Sequence, residues 1–205
     1  MLVAENKELW ERCERLKNCG RDPDGAEFEY PTIGTNARIS AFQAAIGLAQ
    51  LVGFEERFDQ RERNWACLKE ALQDVPGIEL QARDERVDRH ALHLLVFRYD
   101  AEAFGGLPRA KFIEAFAAEG VGAPHAGYQP IYKNPGFFAD VKRMLGHLLV
   151  PDYGWLCLPN TEKVCNETSV WLRQNELLGE STSHVEQIAE AIRKIRHHAR
   201  EMAGA

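Results

Sequence analysis

The chain has 205 residues, 45% of them apolar, and a formal net charge of −6 with acids and bases well mixed. At roughly 150 residues per average domain it can bury a sizeable core, and the even mixing excludes the clustered basic face that a nucleic-acid surface requires. No apolar run approaches the ~20 residues that span a bilayer, and the opening Met-Leu-Val-Ala leads into acids rather than a signal-peptide core, so the sequence reads as cytoplasmic.

In chain order, residues 2–4 read as the tail of a strand. Residues 7–17 read as a helix with Leu9, Trp10, Cys13 and Leu16 on one face. Residues 18–33 form a long loop around the turn-forming Arg21-Asp22-Pro23-Asp24-Gly25, and residues 27–30 bring aromatic side chains back. Loops of that length in compact domains are usually functional or mobile. The run TIGTNARISAFQAAIGLAQL (residues 32–51) then joins loop chemistry to a rigid stem. Gly34 lets the backbone turn or approach a ligand, Asn36 offers two amide donors from a side chain that tolerates tight turns, and Ser40 is placed to cap a helix. Ile39, Phe42, Ile46 and Ala49 recur at helical spacing; spacing alone describes a capped core helix behind an ordinary turn. The apolar stripe continues through Leu51, Phe54, Phe58, Trp65, Leu68 and Leu72, giving one helix over 40–74. At ~1.5 Å per residue it is about 50 Å long, a length that suits a link between two lobes with a bend at Gly53. Pro76-Gly77 ends it.

From Gly77 the pattern is α+β. Residues 78–81 and 91–99 read as strands, the second a nearly continuous apolar run in which His93 is a packed or edge residue rather than a ligand. Pro108 suits the first turn of a helix over 109–119 and Gly120 the position beyond its end. A short strand at 121–123 leads into a loop at 125–136, followed by a segment at 151–159, a strand at 168–172 and a closing helix over 183–199. Ser183 and Glu186 have capping-box spacing at its start. Five cysteines, with no C-x-x-C pair, read as reduced thiols; Cys165 has no visible base and is not a nucleophile. The histidines do not cluster, and His197-His198 sits in a basic helix end that suits the helix dipole.

Five segments, in this order, carry a resemblance. They are LVAENKELWERCERLKNCGRDPDG, the run from Gly34 to Leu51, GYQPIYKNPGF, LCLPNTEKVC, and VWLRQNELLGE with VEQIAEAIRKI. Together they resemble the C-terminal part of the pyridoxal-phosphate-dependent sugar and aminocyclitol aminotransferases of the DegT/DnrJ/StrS type and cover nearly the whole chain. The resemblance implies an α/β architecture, the C-terminal portion of a fold-type-I transferase. Residues 1–38 are then a remnant of the large cofactor-binding domain with its dimer and cofactor loop, 39–75 a long linking helix, and 76–205 a small α+β domain.

In that family the lysine that forms the Schiff base lies shortly before the segment with which this sequence opens. Lys7 does not replace it, since it falls among Glu5, Glu8 and Glu11 on a solvated helix face. The sequence therefore resembles a fragment that carries half an active site and no catalytic lysine. The resemblance gives Asn36 the phosphate of the neighbouring subunit's cofactor, across a homodimer interface. Arg38 either touches that phosphate or a substrate anion, or pairs with a carboxylate of the large domain. His125, Tyr128 and Tyr132 lie in a Gly- and Pro-rich loop suited to sugar or cyclitol hydroxyls; alternatively they are surface aromatics packed on Pro130 and Pro135. The resemblance favours Tyr132 as the substrate-side residue, and Arg173 or Gln174 could also face the site. The implied reaction moves an amino group from glutamine or glutamate to a keto-sugar or keto-cyclitol, most like the aminocyclitol and aminoshikimate-type branch. A stand-alone binding module derived from such an enzyme is the alternative; a DNA-binding regulator would need a segment that is not visible.

Overall fold

The computed structural model describes residues 4–26, 29–134, 136, 140, 143–145 and 155–204, and the structural statements below concern these. The expectations for residues 2–3, 27–28, 135 and 151–154 lie outside them. The described chain resolves into two compact units, 1–55 and 56–205.

In the first unit, α1 (Lys7–Lys17) begins where the Asn6 side chain accepts from the Leu9 N–H at 3.1 Å. It ends at Asn18, and Cys19 and Gly20 follow at φ 61° and 87°, reversing the chain. α2 (Ala41–Val52) has a complete capping box: the Ser40 hydroxyl accepts from the Gln43 N–H, and the Gln43 side chain accepts from the Ser40 N–H. Neither helix buries a side chain. The apolar face expected on α1 is present but uncovered, with Leu9, Trp10 and Leu16 all exposed.

The single helix expected over 40–74 is two. α2 stops at Val52, and α3 (Phe54–Leu72) starts after Gly53, whose φ of −104° and ψ of 19° leave the helical basin. Glycine has the most backbone freedom to lose in a helix, so the break falls there.

The second unit is built on a three-stranded antiparallel sheet in the order β1 (Ile78–Leu80), β2 (Leu94–Tyr99), β3 (Ser169–Arg173). Leu95 faces Leu172 and Phe97 faces Val170 across the β2–β3 ladder. Alternation sends Leu95, Phe97 and Tyr99 into the core, where they meet α4 (Arg109–Ala118), α3 and the C-terminal helix α6 (Ser183–Gly204). Phe97, Tyr99, Phe104, Phe112 and Phe116 form a contiguous aromatic cluster, with Tyr99 stacked on Phe112 at 4.4 Å. The Tyr99 hydroxyl donates to the Leu107 carbonyl at 2.7 Å, satisfying the one polar atom of this cluster.

Several departures from expectation have a local reason. β2 starts at Leu94 rather than 91, because Leu92 is buried at φ 49°, outside extended geometry; His93, just before the strand, is exposed. Residues 121–123 form no strand, as Ala123 sits at φ 45°. β3 is shifted by one residue because a π-type turn, Val164–Thr168, occupies the preceding positions. Arg109 holds that turn, donating to the carbonyls of Cys165, Asn166 and Ser169 at 2.6–3.1 Å. The capping contact of α6 falls one residue early: the Thr182 hydroxyl donates to Glu186 at 2.8 Å, and the helix continues past Ala199 to Gly204.

Candidate functional site

The loop at Thr32–Ala37 is fastened to the end of α1. The Thr35 and Ala37 N–H groups donate to the Leu16 and Lys17 carbonyls at 2.8 and 2.9 Å, and the Cys19 N–H donates to Thr35 at 3.0 Å. These bonds use carbonyls that a helix end leaves without intrahelical partners. Gly34 permits the approach, since a Cβ there would overlap the Gly20 backbone and the Arg15 and Leu16 carbonyls. Successive residues of an extended segment alternate, so with Thr35 and Ala37 committed to α1 the Asn36 N–H is turned away from it.

Asn36 and Arg38 are both exposed. The Arg38 Nε–H donates to Asn36 Oδ1 at 3.1 Å and its Nη1–H to Asn18 Oδ1 at 3.0 Å. A guanidinium only donates, so both amides must present oxygen to it. The consequence for Asn36 is that its oxygen is occupied, while among the described residues its NH₂ group meets no acceptor and keeps both donors. Among the described residues, Arg38 orients these two amides.

In the second unit, the loop at residues 125–134 meets the open edge of β3 at His125. His125 and Trp171 exchange backbone hydrogen bonds at 2.8 and 3.0 Å. The His125 ring lies 5.7 Å and the exposed Tyr128 ring 5.1 Å from the Trp171 ring. The Gly127 N–H donates to His125 Nδ1 at 3.2 Å, which leaves Nε2 as the protonated nitrogen of the neutral ring. Gly127 is at φ 82° with Trp171 packed where a side chain would be, so only glycine fits. The Ser169 hydroxyl donates to the Ala126 carbonyl at 2.6 Å and pins the same loop.

Tyr132 is placed differently. It is 8% exposed, and its hydroxyl both donates to Glu162 Oε1 at 2.9 Å and accepts from the Leu158 N–H at 3.2 Å. Lys133 Nζ donates to the other oxygen of Glu162 at 2.6 Å. Glu162 belongs to α5 (Pro159–Lys163), the Pro-x-x-Glu turn of the sequence. Hydrogen bonds from Lys133 and then from Tyr132 hold the Glu162 carboxyl below the usual carboxylate range. The bond to Glu162 raises Lys133, and burial followed by the Glu162 hydrogen bond raises the Tyr132 phenol. The hydroxyl expected to read substrate is thus engaged in clasping the loop to α5. His125 and Tyr128 remain exposed beside Trp171.

Arg173 and Gln174 are both exposed, at the end of β3 and the start of the following turn. Sequence reasoning missed Trp171, Glu162 and Asn18. A signal existed for Trp171, because Val170 and Leu172 are core residues and alternation puts the large aromatic between them on the opposite face. None existed for Asn18, whose role depends on a residue twenty positions away. No group of three or more His, Cys, Asp or Glu side chains among the described residues could hold a metal ion, and all five cysteines are free thiols.

Comparison with known proteins adds the following. The model of the DegT/DnrJ/EryC1/StrS aminotransferase family matches residues 1–193. Relatives described as putative L-glutamine:3-amino-2,3-dideoxy-scyllo-inosose aminotransferases are 30% identical in Streptomyces kanamyceticus, over 98% of this chain and 49% of the relative, and 31% identical in Micromonospora echinospora, over 95% and 48%. The chain therefore spans about half the length of the curated relatives it matches. Among solved structures, DesI in the presence of its TDP-sugar product superposes with a TM-score of 0.69 at 28% identity, covering 98% of this chain and 46% of that one. The 3-amino-5-hydroxybenzoic acid synthase superposes at 0.72 with 22% identity, over 95% and 48%, a likeness of fold.

Proposed function

Because the chain belongs to the DegT/DnrJ/EryC1/StrS aminotransferase family, we propose that it works as the half of a cytoplasmic, homodimeric aminotransferase that carries a cofactor-phosphate loop and a substrate-side loop. The reaction is transfer of an amino group from glutamine or glutamate to a keto-sugar or keto-cyclitol. Pyridoxal phosphate supplies the electron sink when bound, and the protein positions it and moves protons. The observation that carries this reading is the Asn36 amide, held by Arg38 with both donors uncommitted on a loop fastened to α1.

That arrangement suits a phosphate. An oxyanion takes charge-assisted hydrogen bonds, and an amide whose oxygen is already occupied presents only donors. Asn36 is thus the phosphate-holding residue and Arg38 its positioning residue. The residues present fit the phosphate end of the cofactor; Lys7, at the start of α1, is paired with Glu11 at 3.7 Å.

On the substrate side, Tyr128 and the Nε2–H of His125 offer hydroxyl-binding groups beside the Trp171 face, and aromatic faces suit the C–H surfaces of sugar and cyclitol rings. Tyr132 keeps this loop in place through Glu162.

The test is reconstitution. The chain is co-expressed with the complementary half of the Streptomyces kanamyceticus relative and supplied with pyridoxal phosphate, glutamine and a keto-cyclitol. Amination of the cyclitol with conversion of glutamine is the expected result. A stable complex that retains the cofactor but aminates neither keto-cyclitols nor keto-sugars, with glutamine or with glutamate, would instead favour a non-catalytic binding module; the half-length match is what keeps that second reading in view.

A further inference from the structure

We propose that the groove between the C-terminal helix and the turn at residues 102–105 binds a phosphate-bearing small molecule. The groove has a volume of about 600 Å³, the size of an ordinary small-molecule site. Along one wall run Arg193, Arg196, His197 and Arg200, at positions i, i+3, i+4 and i+7 of α6, and therefore on one helix face. Among the described residues, the acids lining it are Asp74 and Glu102.

The pairing is uneven. Arg193 is committed to the Ala71 carbonyl and to Asp74 at 3.4 Å. Arg196 and Arg200 have no ion pair or hydrogen bond among the described residues, although both are exposed and the chain as a whole is acidic. The helix dipole does not account for them, because α6 continues to Gly204 and its last turn contains no basic residue. Two guanidinium groups one turn apart, facing a recess with a single unpaired carboxylate at its rim, match the donor forks that bind phosphate oxygens bidentately. The apolar residues of the groove are Val75 and Ala199, 5% and 1% exposed, and the small, partly buried Ala103, so the surface offers no large side chain to insert into a bilayer and fits a soluble phosphate ester rather than a lipid headgroup.

The probe is inorganic pyrophosphate, titrated calorimetrically into the full chain at low salt. Saturable binding with a Kd at or below about 1 mM is expected, and Arg196→Gln and Arg200→Gln should each weaken it about tenfold, the loss of one charge-assisted contact. Neither side chain has a hydrogen bond or ion pair among the described residues, so far-UV circular dichroism of both variants should match the parent. Lys194→Gln removes an equal charge from outside the groove, where Lys194 pairs with Glu119, and should leave the affinity unchanged. Absence of saturable binding, equal weakening by Lys194→Gln, or binding only to phosphatidate vesicles would overturn the proposal. So would loss of binding in Arg38→Ala, which would place the phosphate on the loop at Asn36; the inference is otherwise independent of the amino-transfer reading.

Discussion

Replacing Asn36 and Arg38 separately distinguishes a residue that holds an anion from one that holds its neighbour. In Asn36→Ala the reconstituted enzyme loses the amide proposed to hold the phosphate, counted as one charge-assisted hydrogen bond. A hydrogen bond to a charged group is worth about 1.5–3 kcal/mol, so cofactor affinity should fall roughly 10- to 100-fold. In Arg38→Ala the Asn36 amide is kept but loses the 3.1 Å bond that fixes its oxygen, and Asn18 loses its 3.0 Å partner. The cost is then that of orienting one exposed amide, about 0.5–1.5 kcal/mol, or roughly 2- to 10-fold. Fluorescence titration of the reconstituted protein with pyridoxal phosphate measures both. At saturating cofactor the Michaelis constant for the acceptor should barely move in either variant. Unchanged affinity in Asn36→Ala removes Asn36 from the site, and a larger loss in Arg38→Ala than in Asn36→Ala means that the guanidinium itself contacts the anion.

Other expectations rest on the second unit and on α2. Tyr132→Phe should free the 125–134 loop from Glu162 and Leu158, seen as faster proteolysis within that loop and lower turnover with unchanged cofactor affinity; an unaltered cleavage pattern would separate Tyr132 from loop docking. The Glu162 clasp should also depend on pH with a definite sign. A carboxyl held below its ordinary value of 4.5 contributes stability that is present above that value and lost as pH falls through the folded value, whereas Lys133, raised above 10.5, contributes below that value and loses its share as pH rises through the folded one. Near-ultraviolet circular dichroism should therefore show the Trp171 environment loosening in acid, and Glu162→Gln should flatten that acid slope. Asn64 is 2% exposed and donates to the Leu177 and Gly179 carbonyls, both at 2.9 Å, so Asn64→Ala should lower stability by about 2–4 kcal/mol in urea unfolding; a loss under about 0.5 kcal/mol would mean that those carbonyls find other donors. Finally, α2 exposes Phe42, Ile46, Leu48, Leu51 and Val52 and carries no charged residue, so the chain alone should self-associate, and Phe42→Gln with Ile46→Gln should shift its sedimentation towards monomer. Identical sedimentation of parent and variant would show that this face is not sticky.

Local chemistry was legible wherever a few neighbouring residues settle the outcome. Asn6, Ser40 with Gln43, and Pro108 fix helix starts through their own side chains or ring, and α1 has the bounds that its apolar spacing predicts. The order of motifs likewise carried the family. The same local rules misjudged β2 and the strand expected at 121–123, because Leu92 and Ala123 take left-handed backbones whose strain no local pattern announces. They also read Tyr132 by its type, a phenol in a polar loop, and could not see that Glu162, thirty residues later, would occupy it.

Sequence alone thus determined the bounds of α1, the starts of α2 and α4 and the approximate place of the three strands, and it singled out the Asn36 amide, since periodicity, caps and turn chemistry act within about one turn of chain. Only the tertiary structure decided which donors are free and which are spent. Asn36 is available because Arg38 takes its oxygen, Tyr132 is not because Glu162 and Leu158 hold its hydroxyl, and Trp171 stands beside His125 and Tyr128 because β3 brings it there. A hydrogen bond's availability depends on every partner within about 3 Å, and those partners come from distant parts of the chain that meet only when it folds.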